Sequence, residues 1–225
     1  MLKKEQFLPA VTTTKEYKGK IKEIDELSLE KVALFPTFLS LEKRKELYEL
    51  LEKTTLKKIP FCHLRSDMEI WELDYLIKRW DCKVFNIHTE KEYPLTYDYS
   101  KYKKMIYIEN VYFALDEKEI KEFAGVCLDI SHLESERVLR REVYQQNINT
   151  LEKFQIGCNH ISAVIGPHQD ENNHTVISNH TMCDLSNLDY LKNYPEKYFS
   201  QYCAIELENS LKEQLKAINY IVDKS

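Results

Sequence analysis

The feature that most constrains this chain of 225 residues is an alternation. Short apolar runs, rich in β-branched and aromatic residues, are each followed by a longer segment of helical spacing. Seven runs stand out: Val32–Phe38, Lys58–Leu64, Lys83–His88, Lys104–Val111, Gly125–Ile130, Gly157–Val164 and Tyr202–Leu207. Runs that are apolar on both faces suit strands of a parallel sheet covered on both sides. The segments between them carry helix signals. Asp116 reads as an N-cap with Glu119 reaching back, and Ser66/Glu69 and Ser210/Glu213 have the same capping-box form. Leu211, Leu215, Ile218 and Val222 share one face of a final helix. Gly125 and Gly157 stand just before runs, where a helix ends in the left-handed conformation and the chain turns into a strand.

Strand, capped helix, glycine and strand make a βα unit. With an eighth run expected near Thr181-Met182-Cys183, the pattern predicts an α/β fold, a lean (β/α)8 TIM barrel with parallel strands and short loops. No linker or low-complexity tract divides the sequence, so a single TIM-barrel domain over residues 1–225 is expected. The competing doubly wound sheet lacks its GxGxxG fingerprint, and only four glycines are present. No run reaches the ~18 apolar residues of a membrane span. The start, Met1-Leu2-Lys3-Lys4-Glu5-Gln6, has no apolar stretch of a secretory signal behind it. Six cysteines without a CxxC pair read as reduced thiols; Cys62, Cys127, Cys158 and Cys203 lie in apolar runs as small core residues. A cytoplasmic location follows. Lys+Arg 32 against Asp+Glu 37, with no clustered basic face, makes nucleic acid an unlikely partner. Tyr93, Tyr97, Tyr99, Tyr102 and Tyr107 cluster around one crossover, where they could stack on a sugar or a base; covering the outside of the barrel is the expected role.

The polar residues fall in a pattern of their own. Six runs end in an ionisable side chain: His63, His88, Glu109, Asp129, His160 and Glu206. In a parallel barrel all of these ends face one mouth. Several carboxylates buried together repel one another, and a divalent cation removes that cost. Imidazole and carboxylate are ligands of Zn2+, Mn2+ and similar ions. Six ligands exceed one ion's need, so either several ions bind or some residues meet substrate. His132, three residues past Asp129, can touch substrate or a second ion. The segment Gly166-Pro167-His168-Gln169-Asp170-Glu171-Asn172-Asn173-His174 is expected to be a loop over the mouth, with His168, Asp170 and His174 as further candidates.

The motifs Ile108-Glu109-Asn110, Cys127-Leu128-Asp129-Ile130-Ser131-His132, Asn159-His160-Ile161-Ser162 and Ala204-Ile205-Glu206-Leu207 resemble the xylose-isomerase-like TIM-barrel superfamily. That group holds sugar phosphate isomerases and epimerases as well as apurinic endonucleases, and the resemblance runs from about residue 30 to the end. The isomerase/epimerase branch implies one divalent ion (Mn2+, Zn2+, Mg2+ or Co2+) on Glu109, Asp129, His160 and Glu206. It also implies Glu109 and Glu206 as catalytic acid and base, and His132 on substrate oxygens. The endonuclease branch implies up to three zinc ions with His63 and His88 added, and phosphodiester cleavage. The sequence departs from the epimerases in having no Arg shortly after His160, and from both in lacking a glycine-rich turn there. The expected function is a metal-dependent isomerase or epimerase of a small sugar or sugar-like substrate, by proton abstraction through an enediolate. Its rivals are a zinc phosphodiesterase and a catalytically inactive ligand-binding barrel. A small carbohydrate is the expected partner, and a homo-oligomer is compatible with the sequence.

Overall fold

The computed structural model describes residues 1–170 and 172–224; Glu171, within the expected mouth loop, lies outside the described residues. Eight parallel strands close a barrel. They are β1 (Phe7–Thr12), β2 (Lys31–Phe35), β3 (Lys58–His63), β4 (Val84–Ile87), β5 (Ile106–Glu109), β6 (Gly125–Asp129), β7 (Ile156–Ile161) and, after an interruption, β10 (Cys203–Ile205). Each pairs with its neighbours in sequence, and β1 closes the ring against β10. Helices α1 (Tyr17–Glu26), α2 (Leu41–Leu51), α3 (Ile70–Trp80), α4 (Glu117–Glu122), α5 (Ile130–Leu139), α6 (Arg141–Leu151) and α7 (Leu211–Lys224) lie between and after them. This is a (β/α)8 TIM barrel. Among the described residues no helix is long and apolar enough to cross a membrane.

All seven expected runs contain barrel strands, mostly shorter than the runs. The eighth strand is not near Thr181-Met182-Cys183, which forms a bend; it is Phe7–Thr12 at the start of the chain. Pro9 hides it, because proline argues against a central strand. The neighbouring Ala10 is served by a side chain instead: Gln214 of α7 accepts from Ala10 N–H (2.6 Å) and donates to Ala10 O (3.1 Å). That need also turns the face of α7, which buries Leu211, Gln214, Ala217, Ile218 and Ile221. The segment after β7 is not a loop but an antiparallel hairpin, β8 (Ala163–Gln169) with β9 (Thr175–Asn179), outside the barrel order. Two crossovers dispense with an α-helix. After β4 the chain runs through a 3-10 turn at Ser100–Met105, and after the hairpin through one at Leu185–Asn193.

Local signals fared unevenly. Ser210 and Glu213 cap each other as expected (3.0 and 3.2 Å). Asp116 does cap α4, but Glu119 turns away to accept from Glu90 N–H (2.7 Å). Helix α3 starts later than the Ser66/Glu69 reading, with Glu69 as N-cap and Glu72 reaching back (2.9 Å). Gly125 takes a positive φ of 144°. Gly157 serves a close approach instead, since a Cβ there would stand 2.0 Å from the Tyr107 ring. Tyr107 therefore fills the barrel interior rather than covering its outside, and Tyr99 and Tyr102 are buried beneath their crossover.

Inside the barrel the side chains alternate with period two. Leu8, Ala10, Ala33, Phe35, Phe61, Val84, Tyr107, Cys127, Cys158 and Ala204 form one inner cluster of small and large residues. The outward residues of the same strands, such as Val11, Leu34, Cys62, Ile108, Leu128 and Ile205, pack under the helices. One step of two residues beyond Phe61, Val84, Tyr107, Cys127, Cys158 and Ala204 come His63, Asn86, Glu109, Asp129, His160 and Glu206. The strand period thus delivers the polar set to the same inner face, one layer higher.

Candidate metal centre at the barrel mouth

At that layer the side chains from β5, β6, β7 and β10 meet. His160 Nδ1 lies 3.2 Å from Glu109 Oε1 and 3.1 Å from Glu206 Oε2. Asp129, His160 and Glu206 each bring one ligand atom to within 4.8 Å of the others, and Glu109, Asp129 and His132 do the same. A second set, His63, His88 and Glu109, converges on the other oxygen of Glu109. There His63 Nε2 is 3.2 Å and His88 Nε2 3.7 Å from Glu109 Oε2. These buried groups could hold a metal ion.

The orientation of each ligand has a local cause. Asp129 ends β6 and is the N-cap of α5, so its Oδ1 accepts from His132 N–H (2.8 Å) and from the Ser131 hydroxyl (2.6 Å). Oδ2 is left buried with no hydrogen-bond partner. The Asn110 amide extends the β5–β6 ladder by gripping the Asp129 backbone at both N–H (2.8 Å) and O (3.1 Å). The Asn86 amide donates to Glu109 Oε2 at 2.6 Å. His63 Nδ1 sits 2.9 Å from Leu64 O. A carbonyl only accepts, so Nδ1 carries a proton, and Nε2 is the nitrogen turned to Glu109.

This geometry fits a cation on two counts. Asp129 Oδ2 and both ring nitrogens of His160 are buried without an aligned hydrogen bond. The short His160–carboxylate distances are therefore not hydrogen bonds, because Nδ1 does not point at either oxygen. Donors that surround a common ion at about 2.1 Å stand about 3.0–3.4 Å apart, as here.

Electrostatics agree. Burial pushes the Glu109 carboxyl up, but the His160 and His88 imidazoles hold it well below its ordinary value. Against the same burial, His160 and His180 bring Glu206 down to about 2. Burial lowers His160, yet Cys127 and the carboxylates Glu109 and Glu206 raise it well above the ordinary value. Burial raises Asp129 and lowers His88 to about 4. With no ion bound, His160 alone would balance several carboxylates; an ion held there would supply that charge instead and leave His160 neutral as a ligand.

The other expected residues divide. His132 joins the cluster, with Nε2 3.6 Å from Asp129 Oδ2. His168, Asp170 and His174 lie on the hairpin and belong to none of the converging sets among the described residues. His168 faces Gly166 O (3.1 Å) and Asn179 Nδ2 (3.4 Å). Asp170 Oδ1 accepts from the backbone N–H of Asn172 and His174 and so caps the hairpin tip, while His174 stacks on Tyr112 with centroids 4.1 Å apart. His168 and Asp170 line the mouth as rim residues.

Several participants had no place in the sequence reading. Asn86 sits two residues before His88, on the inner face that the strand period would have named. Glu92 is half-buried with Oε2 3.9 Å from His88 Nδ1, where it can orient that ring. His180 follows the hairpin and brings Nδ1 to 3.9 Å from Glu206 Oε1; only the hairpin could have announced it. Tyr93, expected outside, lies against His88 on the mouth, with ring centroids 5.1 Å apart.

No protein-family model matches this sequence, and comparison with curated proteins finds no significant relative.

Proposed function

We propose that the protein is a divalent-metal-dependent isomerase or epimerase of a sugar or sugar-like substrate, related to the xylose-isomerase-like superfamily. The observation that supports it best is the meeting of Glu109, Asp129, His160 and Glu206 from four adjacent strands around His160 Nδ1. A divalent cation (Mn2+, Zn2+, Mg2+ or Co2+) held by these four residues would polarise a substrate carbonyl and stabilise negative charge on its oxygen. Glu206, whose side chain is 16% exposed and lines the mouth, would take the proton beside the carbonyl. Glu109, 4% exposed and beside the same His160 nitrogen, would return it. His132 and His180 flank Asp129 and Glu206 and can hold substrate hydroxyls. Asn86 and Ser131 keep the carboxylates in register.

The test is turnover on a panel of ketoses and aldoses with Glu109→Gln and Glu206→Gln. Each variant is expected to lose isomerisation while its circular dichroism spectrum is retained. Unchanged activity in both would refute the assignment.

One observation favours a second reading, a zinc phosphodiesterase. His63 and His88 crowd Glu109 Oε2, and a one-ion site has no need of them. With Glu109 shared, two ligand sets could hold two ions side by side, the arrangement used to activate water against phosphate esters. Elemental analysis of protein purified without chelator separates the readings. One ion per chain supports the isomerase, and two or three zinc ions support the hydrolase.

A further inference from the structure

The mouth is larger, and lined differently, than its floor requires. The cavity above the carboxylates measures about 860 Å³, near the top of the ~300–1,000 Å³ range that accommodates drug-sized ligands. Two aromatic side chains on its rim are half exposed. Phe38, after β2, is 53% exposed, and Tyr93, after β4, is 50% exposed. Scattered exposed aromatics are ordinary, but two on the wall of one cavity leave an apolar surface open to a ligand. Across the mouth the hairpin presents Gln169, Asp170 and Asn179. One side thus offers two exposed aromatic faces and the other a row of hydrogen-bonding groups. A pyranose is divided in the same way, with a C–H face and hydroxyl edges.

The charges at the mouth point to a neutral ligand. Among the described residues that line it, only Lys15 and Arg65 carry a permanent positive charge. Lys15 is paired with Glu208. Arg65 grips Asp67 through two nitrogens (2.8 and 3.2 Å) and donates a third to Thr37 O. Neither is free to take a phosphate, which ordinarily needs an unpaired Arg or Lys or a helix N-terminus.

We infer that the mouth takes an unphosphorylated substrate of two sugar rings, the reacting ring over the Glu109–Glu206 floor and the second stacked on Phe38 and Tyr93. This rests on the proposed sugar chemistry for the first ring only.

Calorimetric or ligand-observed NMR titration of the full chain tests it, using wild type and Glu206→Gln in parallel. The probes are cellobiose, maltose and xylobiose, each against its own monosaccharide, with glucose 6-phosphate and inorganic phosphate alongside. At least one disaccharide is expected to bind about tenfold or more tightly than its monomer. Phosphate should add no affinity. The double variant Phe38→Ala/Tyr93→Ala should cut the disaccharide-to-monomer ratio by about tenfold, with circular dichroism confirming the fold. The inference is overturned if no disaccharide exceeds its monomer, if either phosphate binds more tightly than the neutral sugars, or if the ratio survives the aromatic substitutions. Failure here is separable from failure of the proposed reaction. Sugars that bind both proteins but are never converted by the wild type sink the isomerase and leave the two-ring cleft standing. Conversion of monosaccharides without a disaccharide preference does the reverse.

Discussion

Halfway up the barrel, Tyr107, Cys127, Cys158 and Ala204 fill the interior; two residues further along the same strands stand Glu109, Asp129, His160 and Glu206. The lower layer is closed. The Tyr107 ring presses on Gly157, and Phe35 and Phe61 meet edge to face at 5.9 Å. The upper layer is equally buried but unfinished, with Asp129 Oδ2 and both His160 nitrogens lacking partners. Burying a large apolar side chain stabilises by roughly 1.5–3 kcal/mol. Burying an unpaired polar group costs roughly 1–3 kcal/mol. One strand set therefore holds a layer that supports the fold and a layer that strains it until something binds.

The largest expected effect breaks that contrast by filling the upper layer. In chelated protein, added Mn2+ or Zn2+ should raise the melting temperature, by a margin equal to about 4 kcal/mol at a thousandfold excess over Kd. Asp129→Asn should lose most of this increment, since Oδ2 becomes part of a neutral amide. Gly157→Ala should keep it. Differential scanning calorimetry with and without EDTA reads both. A wild type indifferent to either metal would count against an ion at this layer.

A buried carboxylate outside the mouth sharpens the comparison. Glu136 on α5 is fully buried, accepts from Asn147 Nδ2 (2.7 Å) and has no imidazole beside it. Burial raises it from 4.5 to about 7, whereas Glu206, faced by His160 and His180, is brought to about 2. Between those two values for Glu136 the native state holds a proton that the unfolded chain releases. Stability from this group is therefore present below pH 4.5 and is lost as pH rises to about 7, by at most about 3 kcal/mol. Glu136→Gln should remove that slope and stabilise the protein at neutral pH. Urea melts at pH 5 and 7.5 measure it; identical slopes in variant and wild type would mean the carboxyl stays ionised.

In the lower layer the sensitive point is Gly157. Adding a Cβ 2.0 Å from the Tyr107 ring should cost about 2 kcal/mol in Gly157→Ala, with or without metal. Ala substitution at Gly19, where nothing lies within 4 Å, should cost nothing and lend helix propensity. Chemical denaturation of the two variants side by side decides whether contact or backbone freedom governs each glycine.

These contrasts also explain what could be read before the structure. Seven strands were visible because a both-sides-buried strand is a continuous apolar run, and a ligand at its end breaks the run visibly, as in Cys127-Leu128-Asp129. Strand β1 was not, because the device that tolerates Pro9 is Gln214, some two hundred residues away in the chain. The hairpin was missed for a related reason. Gly166-Pro167 and a polar tip read as a loop, yet β9 is held from outside by Ser135 Oγ, which accepts from Ile177 N–H (3.0 Å). Asp170 and His174 then shape the hairpin tip rather than join the ligand cluster, a choice made by backbone geometry that composition cannot show. Asn86 and Glu92 escaped because their role is to orient another side chain.

The smallest expected effect tests such orientation directly. Ser131 Oγ lies 2.6 Å from Asp129 Oδ1 and 2.6 Å from Ser162 Oγ, whose own backbone carbonyl accepts from Tyr190 (2.9 Å). That chain ties the carboxylate to β7 and to the turn beyond the hairpin. Ser131→Ala leaves His132 N–H still bonded to Oδ1, so the cap survives and the fold with it. What goes is the constraint on carboxylate rotation, and with it the aim of Oδ2. Loss of such an outer partner ordinarily weakens metal affinity by about 10–100-fold; with one of two bonds retained, about tenfold is expected. Competition with a chromogenic chelator measures it without any assay of activity. If affinity falls no further in Ser131→Ala than in the remote Gly19→Ala, the lower layer and the helix cap alone aim Asp129, and the mouth needs no second support.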